Sequence, residues 1–347
     1  MADLSRFDPD GISNPKGNIF GLPFSEEDAR LVILPVPWEV TVSYHAGTAR
    51  AADHIFQAAL QVDLFDPSAP DAWKEGVYMR PLDKKILLRS DYLHKEAELF
   101  LRYIAEGEAV EANAFMSKTL KEVNEGSAFL NQWVYQQTSA LLHQGKLVGI
   151  LGGDHSTIFG FVKALGERHQ GFGILQIDAH CDLRKAYTRF THSHASIMRN
   201  ILEEIPAVER LVQVGVRDFG QDEWTYIRES GGRVVAFPDA DLSRRQWEGE
   251  TWKNLAGDIV SRLPSKVYIS FDIDGLDPKL CPHTGTPVPG GLETAQVHYL
   301  CQRILDSGRT LIGFDLVEVG AGPNDWDANV GARQLLKLCY LLIRSNT

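Results

Sequence analysis

Short apolar runs recur along this chain between longer stretches in which apolar residues fall at helical spacing. Leu31–Val36 is the first run, and Leu147–Leu151, Gly173–Asp178, Leu211–Val216, Arg233–Phe237, Lys266–Asp272 and Thr310–Leu316 follow. Near-continuous apolar character over so few residues predicts strands buried on both faces. Helical stretches are expected at Ala49–Leu60, 93–107, 115–144, 157–168, 195–204, 221–230, 246–263, 292–307 and 327–344. Thr48 is placed to cap the first of them. Alternating strands and helices predict an α/β fold, a parallel sheet with helices on both faces. Residues 61–93, with several Asp and Pro, read as irregular. Residues 1–29, rich in Gly, Pro, Asp and Asn, read as an extension over the surface. Residues 30–347 read as a single domain, although the length also allows two.

Composition narrows the partners. The chain has 35 basic and 46 acidic residues among 347, a net charge of −11. That balance argues against nucleic acid or an anionic membrane as the main partner, and it is compatible with a small cationic substrate. No apolar run approaches the length of a membrane span, and no apolar signal region follows Met1–Arg6. Cys181, Cys281, Cys301 and Cys339 form no C-x-x-C pair. They are expected to be reduced thiols in a cytoplasmic protein.

The chemistry gathers at strand ends. In Gln176-Ile177-Asp178-Ala179-His180-Cys181-Asp182 three metal-type ligands stand two residues apart. On an extended backbone Asp178, His180 and Asp182 would share one face, with Cys181 on the other as core packing. The carboxyl ends of parallel strands are where ligands bind. Ile150-Leu151-Gly152-Gly153-Asp154-His155-Ser156 ends another strand, and Ser270-Phe271-Asp272-Ile273-Asp274-Gly275 a third. Asp272 and Asp274, buried together, require a compensating cation. His155, Asp178, His180, Asp182, Asp272 and Asp274 supply two imidazoles and four carboxylates, too much negative charge for one ion. Two divalent ions bridged by carboxylates fit better, and hard O/N donors suit Mn²⁺, Ni²⁺ or Fe²⁺ rather than a structural zinc.

Gly-Gly-Asp-His-Ser at 152–156, Asp-Ala-His-Cys-Asp at 178–182 and Ser-Phe-Asp-Ile-Asp at 270–274 resemble the three metal motifs of the ureohydrolases, the arginase and agmatinase family. Gly275-Leu276-Asp277-Pro278 and Thr284–Gly291 extend the match, which runs from about residue 30 to the C-terminus. The resemblance implies a three-layer α/β/α fold with a mainly parallel eight-stranded sheet, a two-metal site, trimers or hexamers, and hydrolysis of a guanidino group to urea and an amine. It assigns His155, Asp178, Asp182 and Asp272 to one ion and Asp178, His180, Asp272 and Asp274 to the other, with Ni²⁺ or Mn²⁺ as the metal. Asp182 would also orient the attacking water. Glu318 matches the family's substrate carboxylate, which grips a planar guanidinium through fork-like N–H pairing. His194, in Ser193-His194-Ala195-Ser196, matches the loop histidine that shuttles a proton to the leaving nitrogen, with His192 as its rival.

Two departures bear on the substrate. Arg184 stands where arginases carry an asparagine for the amino-acid carboxylate, which places the chain nearer the agmatinase branch. His283 stands where a small residue is usual, and if it faces the pocket it takes up room for a substrate tail. Asn18–Phe24 and Pro37–Tyr44 resemble an agmatinase-like branch that includes nickel-type guanidine hydrolases. Free guanidine, split to urea and ammonia, is therefore the expected substrate, with agmatine or another guanidino acid or amine as alternatives. A different class, a non-catalytic protein on the same fold, stays open because a fold does not fix a function.

Overall fold

The computed structural model describes residues 4–5, 7–42 and 44–347; Met1 to Asp3, Arg6 and Ser43, which the readings of residues 1–29 and of Pro37–Tyr44 include, lie outside. Eight strands form one parallel sheet: β1 (Leu31–Val36), β2 (Val77–Met79), β3 (Leu147–Gly152), β4 (Phe172–Ile177), β5 (Val208–Val214), β6 (Val234–Phe237), β7 (Lys266–Asp272) and β8 (Thr310–Val317). Their order is β2-β1-β3-β8-β7-β4-β5-β6. The helices are α1 (Ala51–Ala59), α2 (Lys84–Ala105), α3 (Ala114–His143), α4 (Phe159–Arg168), α5 (Ile197–Glu204), α6 (Gln221–Glu229), α7 (Asp239–Trp247), α8 (Trp252–Ser261), α9 (Thr294–Asp306) and α10 (Trp326–Arg344).

Strand side chains alternate between two cores, as a period of two requires. In β4, Phe172 and Ile174 pack with α2 to α6, through Leu93, Val123, Val162, Ile201 and Ile227. Leu175 and Ile177 pack on the other face with α1 and α7 to α10, through Ile55, Leu242, Leu255, Val297 and Leu335. Three layers result. No helix among the described residues is long and apolar enough to cross a membrane.

Several elements differ from expectation. β2 lies inside 61–93, read as irregular. Three residues are too short to show a period, and the strand's free edge is closed by a side chain: Asn18 Oδ1 accepts from Met79 N–H at 2.6 Å and Asn18 Nδ2 donates to Met79 O at 3.1 Å. Stretch 246–263 holds only the end of α7, which begins earlier at Asp239, and then α8; the two are separated at Gly249, whose φ of 99° continues no helix. Thr48 is not a cap. It opens a 3₁₀ turn, and its hydroxyl donates instead to buried Glu39 at 3.3 Å.

Candidate metal centre and cleft

β3, β8, β7 and β4 are neighbours in the middle of the sheet. Their parallel direction brings all four carboxyl ends to one edge, so motifs far apart in sequence become adjacent in space. After β3, Gly153 turns the chain beneath residue 38, where a Cβ would lie 1.9 Å from Trp38 O. Asp154 then accepts from Ser156 N–H at 3.0 Å and opens the short turn that carries His155.

His155 is 1% exposed. Its Nε2 pairs with Ser270 Oγ at 2.9 Å. Its Nδ1 lies 3.1, 3.0 and 3.3 Å from oxygens of Asp178, Asp182 and Asp272 and has no hydrogen-bond partner. A ring nitrogen held at the meeting point of three carboxylates, with the other ring nitrogen fixed behind by Ser270, is the arrangement of a metal-ligating histidine. A second group adjoins it: His180 Nδ1 lies 3.0 Å from Asp274 and 3.6 Å from Asp178. Asp178 belongs to both groups. Burial, and then Asp274 and Asp178, push the Asp272 carboxyl well above the usual carboxylate range. Burial and Asp178 push Asp182 up to about 7. Crowding of this kind is relieved by cations, so the donors present fit a pair of divalent ions.

All six expected ligands therefore converge, but not by the expected route. β4 ends at Ile177, and residues 178–182 are no longer extended strand. Asp182 has a φ of 55°. Its carbonyl accepts from Met198 and Arg199 N–H at the start of α5. Asp178 and Asp182 thus turn toward His155, and half-buried His180 turns toward Asp274. Cys181 is fully buried in the α2–α6 core, as expected.

Sequence reasoning missed the supports. Gln176 donates to Asp178 Oδ2 at 2.7 Å, and Gln213, one strand away, donates to Gln176 at 2.6 Å. Two fully buried amides inside apolar strands were the available signal. Arg217 donates to the carbonyls of Asp274, Leu276 and Val288 at 2.7, 3.1 and 2.9 Å, tying the cluster to the cleft wall.

Glu318 follows β8 with a φ of 62° and is 5% exposed. Its Oε1 accepts from His155 N–H at 2.9 Å, and its Oε2 has no partner. That oxygen faces Gly285, where a Cβ would come within 2.9 Å of it. A buried carboxylate oxygen left unpaired beside a glycine offers room and charge for a planar cation.

The cleft over the cluster has a volume of about 270 Å³ and is lined by Tyr44, His180, Asp182, Arg184, Tyr187, His194, Asp218, Glu223 and Thr286–Val288. A larger groove of about 870 Å³, beside Arg80 and Leu87, contains none of the clustered residues. His194 sits on the cleft wall. Thr41 Oγ1 accepts from its N–H at 3.2 Å and pairs with its Nδ1 at 3.2 Å. Burial holds its imidazole below the ordinary value. His192 is elsewhere, against Asn200 and the Phe159 ring. His283 does not line the cleft. Its Nδ1 pairs with Asp327 Oδ2 at 2.8 Å and its ring covers Gly322, so the pocket-filling role expected for it has no support in its position.

Residues 29–341 match the arginase family. The chain belongs to that family. It is a metal-dependent amidinohydrolase with a binuclear His/Asp centre. It is 30% identical over 312 residues, 89% of each chain, to an N(1)-aminopropylagmatine ureohydrolase of Thermus thermophilus. Its fold is similar to that of agmatine ureohydrolase from Thermoplasma volcanium, with a TM-score of 0.68, 22% identity and 94% of each chain covered. It is also similar to that of proclavaminate amidino hydrolase from Streptomyces clavuligerus, with a TM-score of 0.70, 20% identity, and 97% of this chain and 100% of the other covered. The eight-stranded parallel sheet and its three-layer arrangement are those of this fold family.

Proposed function

We propose that this ureohydrolase cleaves a C–N bond of a small guanidinium, with free guanidine, giving urea and ammonia, as its substrate. The unpartnered Glu318 oxygen, fixed through Oε1 to the residue that also faces the metal cluster, carries the reading. His155, Asp178, Asp182 and Asp272 would hold one ion and Asp178, His180, Asp272 and Asp274 the other, with Ni²⁺ or Mn²⁺ both suited to these donors. When bound, the ion pair makes water acidic near neutral pH.

Glu318 accepts guanidinium N–H bonds and holds the plane of the cation. This fixes its carbon in front of the cluster, so that binding is converted into alignment. Asp182 accepts a proton from the attacking water and orients it. Attack at carbon makes a tetrahedral centre, and the C–N bond breaks as the departing nitrogen receives a proton. His194, neutral at rest and held by Thr41, takes up the proton that Asp182 removed from the water and passes it to the departing nitrogen. For guanidine the leaving group is ammonia.

The small cleft supports a compact substrate. A second reading, agmatine or a longer guanidino amine, is favoured by Asp218, an exposed acid on the cleft wall that could pair with a tail ammonium, and by the name of the Thermus relative. Assembly into trimers or hexamers and a cytoplasmic location complete the proposal. Urea release from guanidine and from agmatine, measured at fixed metal content, decides the substrate. A higher kcat/KM on agmatine removes guanidine and leaves the reaction class standing.

A further inference from the structure

Asp327 lies in the first turn of α10 and is 1% exposed. Its carboxylate takes three donors from one turn 44 to 46 residues earlier in the chain. Cys281 Sγ–H donates to Oδ1 at 3.2 Å, His283 N–H to Oδ1 at 2.9 Å, and His283 Nδ1 to Oδ2 at 2.8 Å. Burial pushes the Cys281 thiol up, so it stays a donor.

The turn it grips leads directly to the substrate carboxylate. Thr284 Oγ1 donates to Glu318 O at 2.7 Å. Residues 318–322 close over the turn so tightly that a Cβ on Gly320 would fall 1.6 Å from His283 O, and one on Gly322 would fall 2.3 Å from His283 Nδ1. The next residue, Gly285, faces Glu318 Oε2, and its carbonyl accepts from His45 N–H at 3.2 Å. Glu318 itself sits at positive φ, a conformation that persists only where its surroundings impose it. Gly153 O holds it on the β3 side at 2.8 Å, and Thr284 holds it on the other.

We infer that Asp327 is a positioning residue: through the Cys281–Thr284 turn it sets the gap between Gly285 and Glu318 in which the guanidinium lies. The inference rests on the substrate role proposed for Glu318. It gives His283 a function at one remove, since the imidazole acts on the turn and not on the ligand. A loosened turn leaves the metal cluster intact but lets Glu318 relax away from the in-plane position, so binding suffers before chemistry does.

The test uses the full metal-loaded chain, with urea release from guanidine, or from agmatine if that is the better substrate. Asp327→Ala is expected to raise KM about tenfold, to lower kcat by less, and to keep the metal content of the parent. Asp327→Asn, whose amide oxygen still accepts from His283 N–H, is expected to bring KM back to within about threefold. A KM for Asp327→Ala within about twofold of the parent, or a loss confined to kcat, or an Asn variant as poor as the Ala variant, overturns the inference. If Asp327→Ala does not fold, His283→Ala carries the test. It keeps the backbone donor and loses one bond, so KM should rise about threefold, and an unchanged KM overturns the inference. Glu318→Gln separates the two readings. If it keeps full kcat/KM, the substrate role of Glu318 fails; if it is inactive while the Asp327 variants behave as the parent, only the positioning inference fails.

Discussion

Gly285→Ala tests the recognition gap with a single methyl group. Gly285 lies outside the left-handed region, so alanine meets no backbone penalty there. Its Cβ would have one close neighbour, Glu318 Oε2 at 2.9 Å; the next atoms, Glu318 Cδ and His45 O, are at an ordinary 3.8 Å. The methyl therefore presses on the Glu318 oxygen that has no partner and must move it by roughly half an ångström to reach normal contact. It also fills space that a guanidinium plane would use. Misplacement on the ångström scale costs on the order of a hundredfold in rate, about 3 kcal/mol of transition-state stabilisation. The folding cost is smaller, because alanine loses less chain entropy on folding, an offset of about 0.4–1 kcal/mol. The assay is kcat/KM for urea release, alongside metal content and thermal midpoint. A drop of about a hundredfold with two ions bound and a midpoint within a few degrees is expected. Retention of more than about a third of kcat/KM would refute the placement of substrate between Gly285 and Glu318.

Three further outcomes are expected. Chelation should abolish urea release and lower the thermal midpoint, because buried Asp178, Asp182, Asp272 and Asp274 lose their compensation; a midpoint unaffected by chelator counts against a metal centre here. His194→Asn should lower kcat by about 10² to 10⁴ while His192→Asn, away from the cleft, stays near the parent; equal losses would return the shuttle question to both. Asn18→Ala should cost about 1–3 kcal/mol of stability, read as a lower denaturation midpoint at unchanged kcat, since Met79 N–H and C=O lose their partner.

The six clustered residues were legible in the sequence because ligand type and motif clustering survive without any knowledge of the fold. The local geometry was less so. Alternation along an extended strand was the argument for Asp178, His180 and Asp182, yet the strand stops at Ile177 and Asp182 adopts a positive φ. The donors meet because turns tie the segment to α5, an interaction no local spacing encodes. His283 shows the same limit: its partner Asp327 is distant in sequence, and local spacing does not reveal the hydrogen bond that turns the ring away from the cleft. Seven strands were readable as apolar runs, whereas β2 is held by an asparagine rather than by its own pattern. The buried Gln176–Gln213 pair was visible as two polar letters in apolar runs, but its purpose, steering Asp178, emerges only once β4 and β5 are neighbours.

His155 serves with two different parts of itself: its ring faces the carboxylate cluster, and its main-chain N–H holds Glu318. The two tasks are chemically separable, since only the first depends on side-chain identity. Protein depleted of ions should therefore keep Glu318 tethered to the main chain at residue 155 even as the carboxylate cluster loses its cations.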